Sequence, residues 1–282
     1  MLNSRGEIIN QTSFQHIAPA FEPLIEHTLK TLQDTFPELH SLYLYGSIAE
    51  GRARPGLSDA DFIVVFKQPV YRAEARLKKI AEDLHQSFLQ QVCKVDLPSG
   101  TRAEILAPEN LYGWGAYLKV LALPLWGEDL CEELPAFKPS YKMVRGWNGD
   151  LRQETLKALN RLQAPLPETE KITLRRGVAA RLIRAFFMLA AAKELIWSTA
   201  LPIQLQYVKR YFPEYATIFD YLFTTRQSTH NATHNAPQDN LQFIATLEQC
   251  LETCIPEFES ILSRGFTKRP CDDKDSFFMM KR

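Results

Sequence analysis

Residues Leu42–Ser47, with the sequence LYLYGS, and Ser58–Phe66, with the sequence SDADFIVVF, decide how this chain folds. Both are apolar runs rich in Leu, Tyr, Ile, Val and Phe, and a polar loop containing Gly51, Pro55 and Gly56 separates them. Short apolar runs bounded by glycine and proline are typical of strands joined by turns. The pattern therefore predicts a strand, a tight turn, a short helical or irregular excursion, and a second strand.

Two carboxylates, Asp59 and Asp61, open the second predicted strand. Side chains at alternate positions of a strand point to the same face, so these two carboxylates should lie close together. Like charges at this separation repel each other unless a cation lies between them. Magnesium prefers oxygen ligands and is usually held by one or two carboxylates together with substrate phosphates. Asp59 and Asp61 are therefore predicted to bind Mg²⁺.

The turn after the first strand contains Gly46 and Ser47. Glycine lets the backbone turn sharply and lets a ligand approach it closely. Ser47 adds a hydroxyl group, and the following backbone amides would point at phosphate oxygens if a helix begins here. A phosphate-binding turn beside a metal-binding carboxylate pair indicates a polyphosphate site.

The pattern Gly46-Ser47-x-x-x-Gly51 followed by Ser58-Asp59-x-Asp61 resembles the signature of the polymerase-beta-like nucleotidyltransferase superfamily. Within it, the sequence is most similar to small bacterial aminoglycoside adenylyltransferases and minimal nucleotidyltransferases. The resemblance implies an α/β (α+β) nucleotidyltransferase domain with a mixed sheet, followed by an all-α helical-bundle domain.

Composition changes along the chain at about Lys138, after which glycine becomes rare and long helical periods appear. We therefore expect a nucleotidyltransferase domain over residues 1–137 and a helical substrate or cleft domain over residues 138–282. In the second, the polar segment Thr224–Asn240 is predicted to be a loop, and Leu241–Leu262 a last helix that Pro256 can kink.

The family uses a third carboxylate from a neighbouring strand, and this chain offers two candidates for it. Val92–Leu97, with the sequence VCKVDL, is predicted to be a strand whose Asp96 points away from the aliphatic side chains. Asp96 is the preferred candidate, either as a ligand of a second metal ion or as a general base. Glu104, which follows a Pro-Ser-Gly turn, is the alternative.

The resemblance implies an enzyme that moves a nucleoside monophosphate, AMP from ATP, to a hydroxyl of a small molecule or protein and releases pyrophosphate. Gly46, Ser47 and Ser58 would position the β- and γ-phosphates. Arg52 and Arg54, in the loop between the motifs, would neutralise charge on the leaving group, unless they are ordinary solvated arginines.

The alternative hypothesis is a nucleotide-binding regulatory module, or a toxin-antitoxin-type modifier of a partner protein, without transfer to a small molecule. Asp59 and Asp61 could also be no more than a turn cap and a solvated surface residue. The third carboxylate discriminates these hypotheses, because a chain without one would favour binding over catalysis.

Charge and cysteine content bear on partners and compartment. The chain of 282 residues has 33 Lys and Arg against 33 Asp and Glu, and this neutral balance argues against a nucleic-acid partner. It lacks an apolar leader and an apolar run of membrane-spanning length, so no membrane partner is expected. The cysteine spacings match no zinc site, which favours reduced thiols and a cytoplasmic location; the five are Cys93, Cys131, Cys250, Cys254 and Cys271.

Overall fold

The computed structural model describes residues 1–227 and 236–264. The chain divides into two compact units, Met1–Lys138 and Pro139–Arg282. The first unit contains a sheet with five α-helices, and the described part of the second unit is helical.

The sheet of the first unit is mixed, as the resemblance implied. Its strands are β1 (Leu39–Tyr45), β2 (Asp59–Phe66), β3 (Lys94–Asp96), β4 (Ser99–Thr101) and β5 (Ala122–Gly127). The order is β3-β2-β1-β5, and β4 also pairs with β2. Strand β1 runs antiparallel to both β2 and β5, whereas β3 and β4 run parallel to β2. The two motif strands are therefore the central strands of the sheet.

Helices cover the core face of this sheet. The helices of the unit are α1 (Glu22–Thr35), α2 (Gly46–Ala49), α3 (Ala73–Ser87), α4 (Arg102–Leu106) and α5 (Ala116–Leu121). Helix α1 buries Leu24, Thr28 and Leu32, one residue every turn, and α3 buries Leu77 and Leu84. The same core cluster contains apolar side chains of β1, β2 and β3. The helical periodicity in the sequence thus corresponds to faces packed on the sheet.

The second unit is built around one long helix. Its helices are α6 (Tyr141–Asn148), α7 (Leu151–Gln163), α8 (Glu168–Glu194), α9 (Leu201–Tyr211), α10 (Ala216–Gln227), α11 (Ala236–Glu252) and α12 (Cys254–Arg264). Helix α8 has 27 residues, and its fully buried Phe186 lies at the aromatic centre of the unit. The ring of Phe186 contacts Phe212, Phe219 and Phe258 at centroid distances of 4.9, 4.9 and 5.4 Å. The prediction of a helical C-terminal region is confirmed.

Two predictions in this unit are wrong. The loop expected over residues 224–240 is helical at both ends, and residues 228–235 lie outside the described residues. Asn240 belongs to the predicted loop, but in the structure it is buried in α11. Its side-chain amide donates to the carbonyl oxygen of Leu162 at 3.2 Å. The single helix expected over 241–262 is two helices that meet at Thr253. Pro256 lies in the first turn of α12, where its missing N–H loses no helical hydrogen bond.

The helices and the cysteines of the described residues bear on the expectations from composition. None of the helices in the described part of the chain has both the length and the apolar composition that crossing a bilayer requires. Within the described residues, Cys93, Cys131, Cys250 and Cys254 are not in disulfide bonds, and Cys271 lies outside the described residues.

The hydroxyl of Tyr43 ties β1 to the chain after β5. Tyr43 is fully buried, and its hydroxyl oxygen accepts a hydrogen bond from the backbone N–H of buried Leu130 at 2.7 Å. The same hydroxyl lies 3.2 Å from the carbonyl oxygen of Glu128 and 3.3 Å from Oδ1 of Asp129. Burial raises the pKa of Tyr43 well above its usual value, so the phenol stays neutral.

Substituting Tyr43→Phe should lower the free energy of unfolding by about 1–3 kcal/mol, because it leaves the buried N–H of Leu130 without its acceptor. Urea unfolding followed by circular dichroism measures this change. Tyr71→Phe is the matched control, since Tyr71 is 80% exposed. Equal stabilities for the two variants would show that the hydroxyl of Tyr43 contributes nothing.

Candidate active site

Strand register brings three predicted carboxylates to one face of the sheet. Asp59 and Asp61 are alternate residues of β2, and β3 runs parallel to it with Asp61 opposite Asp96 and Asp59 opposite Lys94. Residues that face each other on adjacent strands point to the same side. Ala60, between the two aspartates, is fully buried in the core. Asp59, Asp61 and Asp96 therefore project from the opposite face, and each is partly exposed.

Two of these carboxylates contact side chains that sequence reasoning had not assigned to the site. The thiol of Cys93 donates to Oδ1 of Asp59 at 2.9 Å. The ammonium of Lys94 lies 2.6 Å from Oδ1 and 2.7 Å from Oδ2 of Asp96. The alternation of Lys94 and Asp96 along one strand was the available signal for the second contact. No pattern in the sequence pointed to the first.

Tyr45 adds a phenol next to the carboxylates. It ends β1 and lies opposite Asp61 in the antiparallel ladder. Its ring packs edge-on against Tyr117 with centroids 5.2 Å apart. Burial first, and then Tyr117 and the negative charges of Asp61 and Asp96, raise the pKa of Tyr45 far above its usual value. Tyr45 is therefore a neutral group beside two anions at any physiological pH.

Gly46 lies directly against the carboxylate of Asp61. Its φ of 75° is in the left-handed region, and a Cβ added to it would lie 2.5 Å from Oδ2 of Asp61. Both facts require glycine at this position. The short helix α2 begins at Gly46 and contains Ser47, whose carbonyl oxygen accepts from the backbone N–H of Arg52 at 2.8 Å. The predicted phosphate-binding turn thus meets the carboxylate pair.

The other predicted phosphate ligands lie in the loop between the motifs. The hydroxyl of Ser58 accepts from the backbone N–H of Arg54 at 2.9 Å, and the N–H of Ser58 donates to the carbonyl of Arg54 at 3.0 Å. These contacts make Ser58 a residue that closes the loop. The guanidinium of Arg52 is paired with the carboxylate of Glu50, and the side chain of Arg54 is exposed. Phosphate binding by Ser58, Arg52 and Arg54 stays a prediction.

Glu104, the alternative third carboxylate, lies in the first turn of α4 and forms a capping box with Thr101. Its Oε2 accepts from the backbone N–H of Thr101 at 2.7 Å and from the hydroxyl of Thr101 at 2.9 Å. These hydrogen bonds hold the pKa of Glu104 below its usual value. Asp96, and not Glu104, is the residue that lies opposite Asp61 on a neighbouring strand.

The residues on this face fit a magnesium ion that has two carboxylate ligands. Carboxylate oxygens are the ligands that Mg²⁺ prefers, and Asp59 and Asp61 provide them from one strand. Gly46 lies against the carboxylate of Asp61 with no side chain of its own between them. Across residues 1–227 and 236–264, however, no three His, Cys, Asp or Glu side chains come close enough together to hold a metal. The arrangement therefore suits an ion that two carboxylates share with substrate phosphates.

The family described as "Nucleotidyltransferase domain" matches residues 25–111. Spectinomycin adenyltransferase AAD(9) from Enterococcus faecialis, solved with ATP and spectinomycin, has a similar fold: the TM-score is 0.50 and the identity 14%, over 80% of this chain and 98% of that one.

A toxin-antitoxin protein solved with AMP-PNP gives a TM-score of 0.29 at 22% identity, over 49% of this chain and 98% of that one. No curated protein sequence matches the chain.

The matched segment runs from α1 through α4 and contains Gly46, Ser47, Asp59, Asp61 and Asp96. These residues lie on the elements that carry the motif identified in the sequence. Residues 25–111 thus match a nucleotidyltransferase domain, which confirms the predicted superfamily, the fold class and the assignment of the chain as a nucleotidyltransferase.

Proposed function

We propose that this protein transfers AMP from ATP to a hydroxyl group of a small-molecule acceptor and releases pyrophosphate. The observation that carries the proposal is the placement of Asp59, Asp61 and Asp96 on one face of the sheet, beside Gly46. The similar fold of an adenyltransferase solved with ATP and spectinomycin supports the choice of nucleotide and of a small acceptor.

The side chains have distinct roles in this proposal. Asp59 and Asp61 would hold Mg²⁺, which when bound neutralises triphosphate charge and makes the α-phosphorus more electrophilic. Gly46 and Ser47 let the triphosphate approach the backbone closely. The acceptor oxygen forms a bond to the α-phosphorus as the bond to the β-phosphate breaks, and Asp96 takes the hydroxyl proton.

The loop between the motifs is proposed to stabilise the departing pyrophosphate. Ser58 keeps this loop closed through two hydrogen bonds with the backbone of Arg54. The guanidinium groups of Arg52 and Arg54 supply positive charge where negative charge develops. For this role, the guanidinium of Arg52 would have to break its ion pair with Glu50 or contact Glu50 and the pyrophosphate at the same time.

We assign catalysis to a nucleotidyltransferase domain over residues 1–137 and acceptor recognition to a helical domain over residues 138–282. The family match falls entirely in the first of these. The likeness to the adenyltransferase fold covers 80% of the chain and so extends beyond it.

The second candidate is a regulatory nucleotide-binding module or a modifier of a partner protein. It would bind ATP on the same face without transferring AMP to a small molecule. The presence of Asp96 opposite Asp61 favours catalysis, because binding alone does not need a third carboxylate.

The test is pyrophosphate release from ATP and Mg²⁺ in the presence of a panel of hydroxyl acceptors, beginning with spectinomycin and aminoglycosides. Asp59→Asn and Asp61→Asn should each abolish the release, because each removes a charged metal ligand. Thermal unfolding without metal should show equal or higher stability, since one of two neighbouring like charges is lost. Full activity in either variant would refute the site.

Asp96→Ala should still bind ATP but lose transfer by ~10²-fold or more, which is the usual contribution of a general base. Glu104→Ala is the matched control. It should lower the free energy of unfolding by about 0.5–2 kcal/mol through loss of its capping box, with little effect on the rate. Calorimetric ATP binding and pyrophosphate release separate the two effects. The reverse ranking of rates would move the role to Glu104.

Gly46→Ala should destabilise the protein by about 1–2 kcal/mol, because alanine is strained at this φ. It should also eliminate the thermal stabilisation that ATP and Mg²⁺ confer, because its Cβ displaces the carboxylate of Asp61. Gly177→Ala in α8 is the control: its Cβ meets nothing within 4 Å, and it should stabilise by roughly 0.5–1 kcal/mol. Normal nucleotide stabilisation in Gly46→Ala would contradict the close approach assigned to this turn.

A further inference from the structure

Asp96, the proposed third carboxylate, already has a cationic partner within the protein, which is the ammonium group of Lys94. The ammonium of Lys94 lies 2.6 Å from one oxygen of Asp96 and 2.7 Å from the other. Lys94 and Asp96 are alternate residues of β3, so both lie on the face that carries Asp59 and Asp61. Lys94 itself is opposite Asp59 in the ladder.

An exposed ion pair of this kind usually contributes little to stability. The surroundings of Lys94 differ from an ordinary surface. The side chains of Lys94 and Asp96 are 48% and 35% exposed, and two further carboxylates project from the same face. A positive charge is therefore favoured here by three anions, and the short spacing along one strand keeps the ammonium close to Asp96.

The contacts on this face favour a single divalent cation. Lys94 already supplies a positive charge at Asp96, and the other two carboxylates of the face, Asp59 and Asp61, come from one strand. Within the described residues, no group of three acidic, His or Cys side chains is close enough to chelate a metal, so Asp96 does not form a preformed site with Asp59 and Asp61. Two carboxylates and substrate phosphates are an ordinary ligand set for Mg²⁺.

We propose that Lys94 takes the place of a second metal ion at Asp96, so that the site holds one divalent cation, at Asp59 and Asp61. This inference rests on the proposed function, because it concerns the metal content of the same site. Lys94 is a positioning residue: it neutralises Asp96 and fixes the direction of its carboxylate. Removing the ammonium would leave Asp96 free to bind a second divalent ion.

The test is a count of bound Mn²⁺, a paramagnetic substitute for Mg²⁺. The full-length protein is saturated with a non-hydrolysable ATP analogue, and free Mn²⁺ is measured by electron paramagnetic resonance. We expect one Mn²⁺ per nucleotide-bound protein in the wild type and two in Lys94→Met. The double variant Lys94→Met/Asp96→Asn should return to one, which ties the additional ion to Asp96.

Lys79→Met is the matched control. Lys79 also pairs with an aspartate, Asp83, at 2.6 Å on an exposed surface, but it lies on α3 and outside the site. It should bind one Mn²⁺, as the wild type does. If Lys94→Met does not fold, Lys94→Gln, which has a shorter polar side chain, replaces it. We expect two bound Mn²⁺ in that variant as well.

The outcomes separate this inference from the proposed function. Two Mn²⁺ in the wild type, or one in both Lys94 variants, would overturn the role of Lys94 and leave nucleotide transfer standing. A wild-type protein that binds neither Mn²⁺ nor nucleotide would overturn the proposed function itself.

Discussion

Asp61 is paired on both sides of β2, with Tyr45 of β1 on one side and with Asp96 of β3 on the other. A slip of one residue in either pairing would move every side chain of a strand to the opposite face of the sheet. The register is held by Phe62 and Val64, which are buried in the core cluster on one face of β2. Asp59 and Asp61 share the other face with Ile63, which is also buried. The hydrophobic effect at the core side of β2 thus fixes the positions of the carboxylates on the opposite side.

This placement concentrates negative charge, and neighbouring groups of the protein compensate it. Lys94 binds Asp96 through both carboxylate oxygens, and the thiol of Cys93 donates to Asp59. The backbone of Gly46 lies against Asp61 without a side chain between them. A face held in this way keeps its geometry before substrate arrives, which is what catalysis by positioning and electrostatics requires.

Much of this arrangement could be predicted from the sequence, since period-two alternation determines which residues share a face. That pattern placed Asp59 with Asp61 and separated Asp96 from buried Val95. The capping role of Glu104 could also be predicted, because Thr101 and Glu104 have the spacing of a capping box.

Other features depend on contacts between distant parts of the chain, which local pattern does not contain. Asn240 is buried in α11, where its side-chain amide donates to the carbonyl oxygen of Leu162, 78 positions away in the chain. Cys93 contacts Asp59 because β3 pairs with β2. The three residues of β3 do not by themselves determine the register of that pairing. Sequence reasoning therefore identified the carboxylates, whereas their partners required the structure.

Asp96, the proposed third carboxylate, lies on β3, the short strand at one edge of the sheet. Strand β3 has three residues and ends the described strand order, so few ladder hydrogen bonds fix it. Its anchors are Val95 and Leu97, which are buried in the core cluster with Leu77 and Leu84 of α3. On the other face, β3 supplies its own counter-charge from Lys94, two residues from Asp96. Because the anchor and the counter-charge both lie next to Asp96 in the chain, the direction of this carboxylate is set locally, even at the edge of the sheet.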